Sequence, residues 1–431
     1  MLQDDIATTS PSDCATETDD EIRMIEFFSG IGGMRLAIER ALSLNNSSDV
    51  SDQHRRPSRI ASCHAYEISL AANTTYQHNF HKDEIHLKSS TSEFSVNTKL
   101  VEQLCPTDRK RRNPELLKFR RANLWTMSPP CQPFTTTRGG KLLDMDDKRC
   151  DGFKAIIKLL RYACQAQKDS PDDATSLRPP RWILLENVKG FADSRMLAEW
   201  KRCLVDCGYI WNEYLLSPVQ FGIPNHRLRY YMTCRRRTTP INNTPTTTIR
   251  TSLLHDAFPP DTCRKTLLEY LDRNLLSTDS PSLARQESLA PYLVPDSVLR
   301  QPWASDLSVV TPQATETYCF TAGYGRVYHK ATGSLFLLHD TAAEQSSESS
   351  VFNRSKPIMD YSGRIRRFTS KELLNLFGFR KDFHFPPSVD LEKQYKLVGN
   401  AVNVEVVAHV AIDLLFCEKD EDQDNQGPGT C

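Results

Sequence analysis

A short apolar run, Arg23 to Phe28, meets the turn Ser29-Gly30-Ile31-Gly32-Gly33, and a helical pattern from Met34 to Leu42 follows at once. Strand, glycine turn and helix in that order form the entry to a nucleotide-type α/β fold. The glycines let the backbone reverse sharply and approach a ligand, and the helix N-terminus can face its polar groups. The same turn also serves α/β proteins that bind nothing there, so the pattern constrains fold more than function. Strand and helix signals then alternate. Strands are expected at Ile60–Tyr66, Ala122–Met127, Trp182–Leu185 and Tyr209–Leu216, and helices at Ala71–Phe80, Phe153–Ala163, Leu197–Cys207, Ser370–Phe377 and Val402–Phe416. That alternation predicts an α/β domain around a mostly parallel sheet.

The chain of 431 residues is 39% hydrophobic and 25% charged, which suits a soluble domain of ordinary composition with room for a second, smaller one. The formal net charge is +0, so nothing in the totals draws the protein to nucleic acid, although local patches could. The 13 cysteines are scattered, with no Cys-x-x-Cys pair and no zinc-like His/Cys spacing. Free thiols in a reducing compartment are expected, and no metal site. The N-terminus is polar and acidic, unlike a signal peptide, and no apolar run is long enough to predict a membrane span.

The residues with chemistry fall at strand ends. Ser128-Pro129-Pro130-Cys131-Gln132-Pro133-Phe134 follows a buried strand that two prolines terminate. Cys131 is a candidate nucleophile there, or else a small core residue between turns. Glu67 ends the second strand and offers two acceptor oxygens to a ribose, or simply starts a helix. Glu186 ends the Trp182 strand and would sit beside Cys131 if the two strands are neighbours; otherwise it is a capping or solvated carboxylate. Arg227 and Arg229 are spaced to share one face of a strand, which is also the pattern of an exposed edge. Ser92 and Glu93 lie in a polar turn that could reach an adenine. The basic stretch Arg109 to Arg121 reads as a phosphate-facing surface, a nuclear import signal or a solvated helix face. Thr135 to Arg149 is rich in Thr, Gly and charge, as a segment closing over a substrate would be.

Five motifs in order carry a resemblance. Phe27-Phe28-Ser29-Gly30-Ile31-Gly32-Gly33, Pro129-Pro130-Cys131-Gln132, Glu186-Asn187-Val188, Arg227-Leu228-Arg229 and Gly399-Asn400-Ala401-Val402 resemble the cytosine C5-methyltransferases over roughly residues 22 to 416. Cys131-Gln132-Pro133-Phe134-Thr135, Leu184 to Phe191 and Tyr318-Cys319-Phe320-Thr321 look like the small eukaryotic branch that methylates cytosine 38 of aspartate tRNA. The resemblance implies a Rossmann-like S-adenosylmethionine-dependent fold: a mostly parallel seven-stranded sheet with helices on both faces, plus a small target-recognition domain. It implies that Cys131 adds to carbon 6 of cytosine, that Glu186 serves N3 as a proton donor or sharer, and that Arg227 and Arg229 hold the carbonyl oxygen and nearby phosphates, with Arg227 preferred for the base. S-adenosylmethionine would lie against Phe28, Ser29, Gly30, Ile31, Gly32 and Gly33, with Glu67 on the ribose, Ser92 and Glu93 on the adenine, and Ser128, Pro130 and Asn400 on the remainder. No metal is needed.

The expected organisation is a disordered tail over 1–21, a catalytic domain over 22–239, and a target-recognition domain over 240–365. A returning catalytic segment over 366–416 and an acidic tail over 417–431 complete it. The expected substrate is tRNA and the expected protein is a monomer in the cytoplasm, with the nucleus as a second location. Three rivals share parts of the pattern. A DNA cytosine methyltransferase shares every catalytic residue. A non-enzymatic RNA-binding relative has no use for Cys131. A dinucleotide-dependent oxidoreductase explains the glycine turn and Glu67 but not Cys131 with Glu186.

Overall fold

The computed structural model describes residues 21–46, 57–86, 94–104, 116–135, 144–170, 177–237, 248–255, 264–272, 275, 287–338 and 352–417. Its larger part runs β1 (Glu21–Phe27), α1 (Gly33–Asn46), β2 (Arg59–Tyr66), α2 (Leu70–His86), β3 (Phe94–Asn97), α3 (Leu116–Arg120), β4 (Leu124–Met127), α4 (Asp151–Asp169), β5 (Trp182–Val188), α5 (Arg195–Asp206), β6 (Tyr209–Leu216) and β7 (Arg229–Arg236). The strands form one seven-stranded sheet in the order β3-β2-β1-β4-β5-β7-β6. The pairs from β3 to β5 are parallel, and β7 is antiparallel to both β5 and β6.

Period-two alternation explains why the sheet is covered on both faces. On β1, Ile22 and Met24 enter one core while Ile25 and Phe27 enter the other. On β5, Trp182 and Leu184 divide from Ile183 and Leu185 in the same way. The second core is closed by α4 and α5, whose apolar residues recur at helical spacing: Phe153, Ile156, Ile157 and Leu160 on one, Met196, Trp200 and Cys203 on the other. The Ser194 side chain caps α5 by accepting from the Leu197 amide at 3.0 Å.

The chain ends in α6 (Ser370–Leu376), α7 (Leu391–Asn400) and α8 (Val404–Leu415). Thr369 caps α6 in a reciprocal box with Glu372, and Gly378 follows the helix in the left-handed region at φ +78°. The final helix α8 matches its expected span, Val402–Phe416, to within two residues, while α7 ahead of it was not expected. The two are separated at 401–403, and Asp390 caps α7 by accepting from the Lys393 amide at 2.9 Å. The apolar stretch Leu391–Leu415 is therefore interrupted, and α8 packs with α1 in the first core.

A second, three-stranded sheet joins Val309–Val310, Leu335–Leu337 and Ile365–Arg366. It has a small core of its own, including Val294, Leu299, Leu307, Val309, Leu335, Leu337, Tyr361 and Ile365. Phe320, Tyr324 and Phe336 from this region enter the first core beside Phe368 and Tyr395. The region is thus wedged against the returning helices. Arg366 carries the attachment: fully buried, it meets Glu372 through two hydrogen bonds of 2.8 Å.

Candidate active site

The strand order reverses between β1 and β4, and ligands in open α/β sheets bind outside the carboxyl ends of strands at such a reversal. A cavity of about 820 Å³ opens there. Phe28 to Ile31 and Gly33 line it from the end of β1, Glu67 from the end of β2, Ser128 to Gln132 from the end of β4, Glu186 from β5, Arg227 from the approach to β7, Arg229 from its start, and Asn400 from the end of α7. Ten positions expected from sequence to bind cofactor lie in described segments, and nine line this cavity. Gly32 is the exception. It sits at φ +88°, and a Cβ on it would come within 2.3 Å of the Phe80 ring, so it closes the turn against α2 instead. Ser92 and Glu93 lie outside the described residues.

The β1 turn is built to receive a ligand. Phe28, not a glycine, adopts φ +54°, a left-handed conformation costing about 1 kcal/mol. Glu67 braces the turn, since its Oε2 accepts from the Gly30 amide at 3.0 Å and its Oε1 from the Ser69 amide at 2.8 Å. Each carboxylate oxygen keeps acceptor capacity for a hydroxyl. Ser29 Oγ is buried and has no hydrogen-bond partner among the described residues. A buried hydroxyl without a partner costs free energy unless a ligand satisfies it. Acceptors at Glu67, a polar group at Ser29 and the apolar walls of Phe28 and Ile31 together fit a nucleoside joined to an amino-acid group, as S-adenosylmethionine is.

The other half of the cavity holds the reactive groups. Cys131 caps a tight helical turn over Gln132–Phe134, with its carbonyl accepting from the Phe134 amide at 2.9 Å. The Asn187 side-chain amide donates to the Pro129 carbonyl at 3.2 Å, which ties the proline turn to β5. Parallel pairing of Met127 with Leu185 brings Glu186 next to the Cys131 loop, the adjacency anticipated from sequence. Glu186 Oε2 accepts from Ser128 Oγ at 2.6 Å, and Oε1 lies 3.5 Å from Arg229 Nε. Burial first, and then the Glu186 charge, push the Cys131 thiol above its ordinary range, against the opposing pull of Arg229 and Arg227.

Two arrangements differ from the sequence expectation. Ser128 meets the carboxylate across the cavity's reactive side. Arg227 lies ahead of β7, which starts at Arg229, so the two arginines do not alternate along one strand. The Arg227 guanidinium is spent on carbonyls: Nη1 donates to Phe320 at 3.0 Å, and Nη2 to Gly399 at 3.2 Å and Ala401 at 2.7 Å. The basis is local packing. Gly399 presses against the 321–322 backbone so closely that a Cβ would sit 2.2 Å from the Thr321 carbonyl carbon. Arg227 fills the corner where these segments meet.

The profile of the C-5 cytosine-specific DNA methylase family matches residues 22–415. The chain belongs to the cytosine C5-methyltransferases. It is 30% identical over 399 residues to a tRNA (cytosine(38)-C(5))-methyltransferase of Spodoptera frugiperda, covering 91% of this chain and 99% of the relative. A Schizosaccharomyces pombe protein of the same name is 29% identical, with 92% and 97% covered. A solved structure of a Spodoptera frugiperda DNMT2 mutant matches with a TM-score of 0.61 at 28% identity, over 91% of this chain and 99% of that one.

Sequence reasoning left Cys319 out of this methyltransferase's site. Its sulfur lies 3.6 Å from Arg227 Nη1 and 3.8 Å from Arg229 Nη2. Burial works to raise this thiol, but the two guanidiniums outweigh it and bring the thiol below its ordinary range. The two half-exposed cysteines beside the cavity are therefore tuned in opposite directions. One consequence is measurable. Replacing Glu186→Gln removes a charge that raises the Cys131 thiol, so alkylation of Cys131 by iodoacetamide at neutral pH should become faster than in the wild type, read by mass spectrometry of the Cys131 peptide. Methyl transfer should fall in the same variant. An unchanged or slower alkylation rate would contradict the charge coupling.

Proposed function

We propose that this cytosine C5-methyltransferase modifies tRNA, placing a methyl group on carbon 5 of cytosine 38 in the anticodon loop of an aspartate tRNA. The observation that carries the reading is likeness over nearly the whole chain to relatives named for that activity. The cavity's complete set of Cys131, Glu186 and Arg229 supports an active enzyme over a binding-only relative. Carbon 5 of cytosine is a weak nucleophile, and covalent catalysis removes that difficulty by splitting one hard step into two. Cys131 attacks carbon 6, and the carbon–sulfur bond makes carbon 5 electron-rich. Glu186 supplies or shares the proton that N3 takes as charge moves onto the ring. Arg229, with its guanidinium toward the cavity, holds the base's carbonyl oxygen, where negative charge also gathers. Arg227 acts behind it by fixing the Phe320 and Gly399–Ala401 carbonyls.

S-adenosylmethionine, when bound, provides an electrophilic methyl group on sulfur. Glu67 would hold its ribose, Phe28 to Ile31 and Gly33 its methionine side, and Pro130 and Asn400 the remainder. The target base must leave its stack to reach Cys131, and in an anticodon loop that costs only part of the few kcal/mol a duplex demands. Bisulfite sequencing of total tRNA and genomic DNA from cells expressing the protein tests the reading. The expected result is a protected cytosine 38 in aspartate tRNA and none in DNA. Protection confined to DNA would overturn it in favour of a DNA methyltransferase.

A further inference from the structure

Ser128 stands one residue beyond β4, beside Glu186 on β5, and its Oγ donates to Glu186 Oε2 at 2.6 Å. The opposite oxygen, Oε1, faces Arg229 Nε at 3.5 Å. Glu186 is 5% exposed, so bulk water does little to orient its carboxyl group. Around it stand Cys131 from the β4 loop, Arg227 from the approach to β7, and Arg229 and Tyr231 on β7 itself. These partners differ in what they can do when the carboxyl gains or loses a proton. A guanidinium carries a fixed positive charge, so it favours the ionised form. The neutral Ser128 hydroxyl donates to Oε2 whether or not Oε1 carries a proton, so its hydrogen bond survives in either form.

We propose that Ser128 is a positioning residue for Glu186, its hydroxyl holding one carboxyl rotamer through both protonation states while a proton passes to and from N3 of the target base. The assignment rests on the reading above, in which Glu186 serves N3. As the base binds, the Cys131 thiol proton passes to Glu186 Oε1, and as the sulfur bonds to carbon 6 that proton goes on to N3 while Ser128 keeps donating to Oε2. When carbon 5 has lost its proton to water and the carbon–sulfur bond breaks, N3 returns its proton to Oε1 with the Ser128 bond to Oε2 unbroken. Cys131 leaves as a thiolate and takes back that proton, so protons and electron pairs balance with no further reactant.

The sequence expectation for Ser128, a contact to S-adenosylmethionine, makes a different prediction, and kinetics separate the two. Ser128→Ala and Ser128→Thr are compared with wild type in S-adenosylmethionine affinity by calorimetry and in kcat and KM on whichever nucleic acid the wild type labels. Ser128→Ala should lower kcat about tenfold, part of the roughly hundredfold or more that a general acid supplies, with cofactor affinity and KM within about twofold of wild type. Ser128→Thr, which restores a hydroxyl, should recover most of the lost kcat. Unchanged kcat in Ser128→Ala, or a cofactor affinity that falls while kcat holds, overturns the assignment and leaves Glu186 chemistry untouched. Labelling of DNA instead of tRNA overturns the substrate reading alone, because the Ser128 comparison proceeds on either. A wild type that labels neither nucleic acid overturns both.

Discussion

Cys131→Ala should abolish methyl transfer, lowering kcat/KM by roughly 10⁴-fold or more, or about 5.5 kcal/mol of barrier, while leaving S-adenosylmethionine binding intact. The size follows from what is removed. Without a carbon–sulfur bond at carbon 6, carbon 5 has no electron-rich state from which to react, and no neighbouring group can replace the thiol. Cys319 also lies beside the site, but its sulfur faces Arg227 and Arg229. The check has two arms. Labelled methyl incorporation into aspartate tRNA measures the loss. RNA carrying 5-fluorocytosine at the target measures the adduct, because fluorine cannot leave carbon 5 as a proton does, and the wild type should stay bonded to it through denaturing gels. Cys131→Ala should give no such band, and neither should a wild type that methylates by direct attack. Turnover within tenfold of wild type in Cys131→Ala would rule the covalent route out.

Much of this site was legible because its groups sit at strand ends, where local pattern and fold rule coincide. Glu67 follows β2 and Glu186 lies near the end of β5, and an apolar run that stops at a polar residue marks both. What could not be read is what depends on strand order. Ser128 and Glu186 are 58 positions apart, and only the placing of β4 beside β5 brings them within hydrogen-bond distance. The Cys319 contact spans 92 positions and joins the smaller sheet's region to the catalytic one, with no local signal in Tyr318-Cys319-Phe320 to announce it. β3 escaped notice because Phe94-Ser95-Val96-Asn97 is short and half-buried throughout. α7 escaped because Glu392, Lys393, Gln394 and Lys396 dilute its apolar face.

The free-state electrostatics also bear on mechanism. A nucleophile held above the ordinary thiol range, near 8.5, is mostly protonated at neutral pH, so the substrate-free enzyme keeps Cys131 unreactive. Of the two causes of the shift, burial and the Glu186 charge, a bound base would change the second. Arrival of the base brings N3 to Glu186, spreading the charge that raises the thiol. Activation would then be coupled to occupancy of the base pocket, which limits reaction with small electrophiles at other times. The Glu186→Gln alkylation rate described above isolates the charge component of that coupling from burial.

Arg227→Lys and Arg229→Lys should fail in opposite ways, although a period-two reading treats the two arginines as equivalent. The Arg227 fork joins three carbonyls from two distant segments, those of Phe320, Gly399 and Ala401, and its guanidinium also lies 4.9 Å from the Phe377 ring centre. A lysine ammonium is a point donor that cannot span the corner, and each buried carbonyl left unpaired costs about 1–3 kcal/mol. Arg227→Lys should therefore lose about 3 kcal/mol of stability, visible as a fall of several degrees in Tm. It should also weaken S-adenosylmethionine binding, because the Gly399–Ala401 turn carries Asn400 into the cofactor side of the cavity. Arg229 makes fewer structural bonds, chiefly one to its neighbour's carbonyl at Leu228, 2.9 Å away, and its approach to Glu186 is a long one. Arg229→Lys should keep Tm and cofactor affinity near wild type but lower kcat by about 10²-fold, the cost of losing one donor to developing negative charge. Thermal unfolding, calorimetry with S-adenosylmethionine and single-turnover methylation separate the two outcomes. An Arg227→Lys enzyme with normal Tm and cofactor affinity but no turnover would return that arginine to the base, as its motif alone implies.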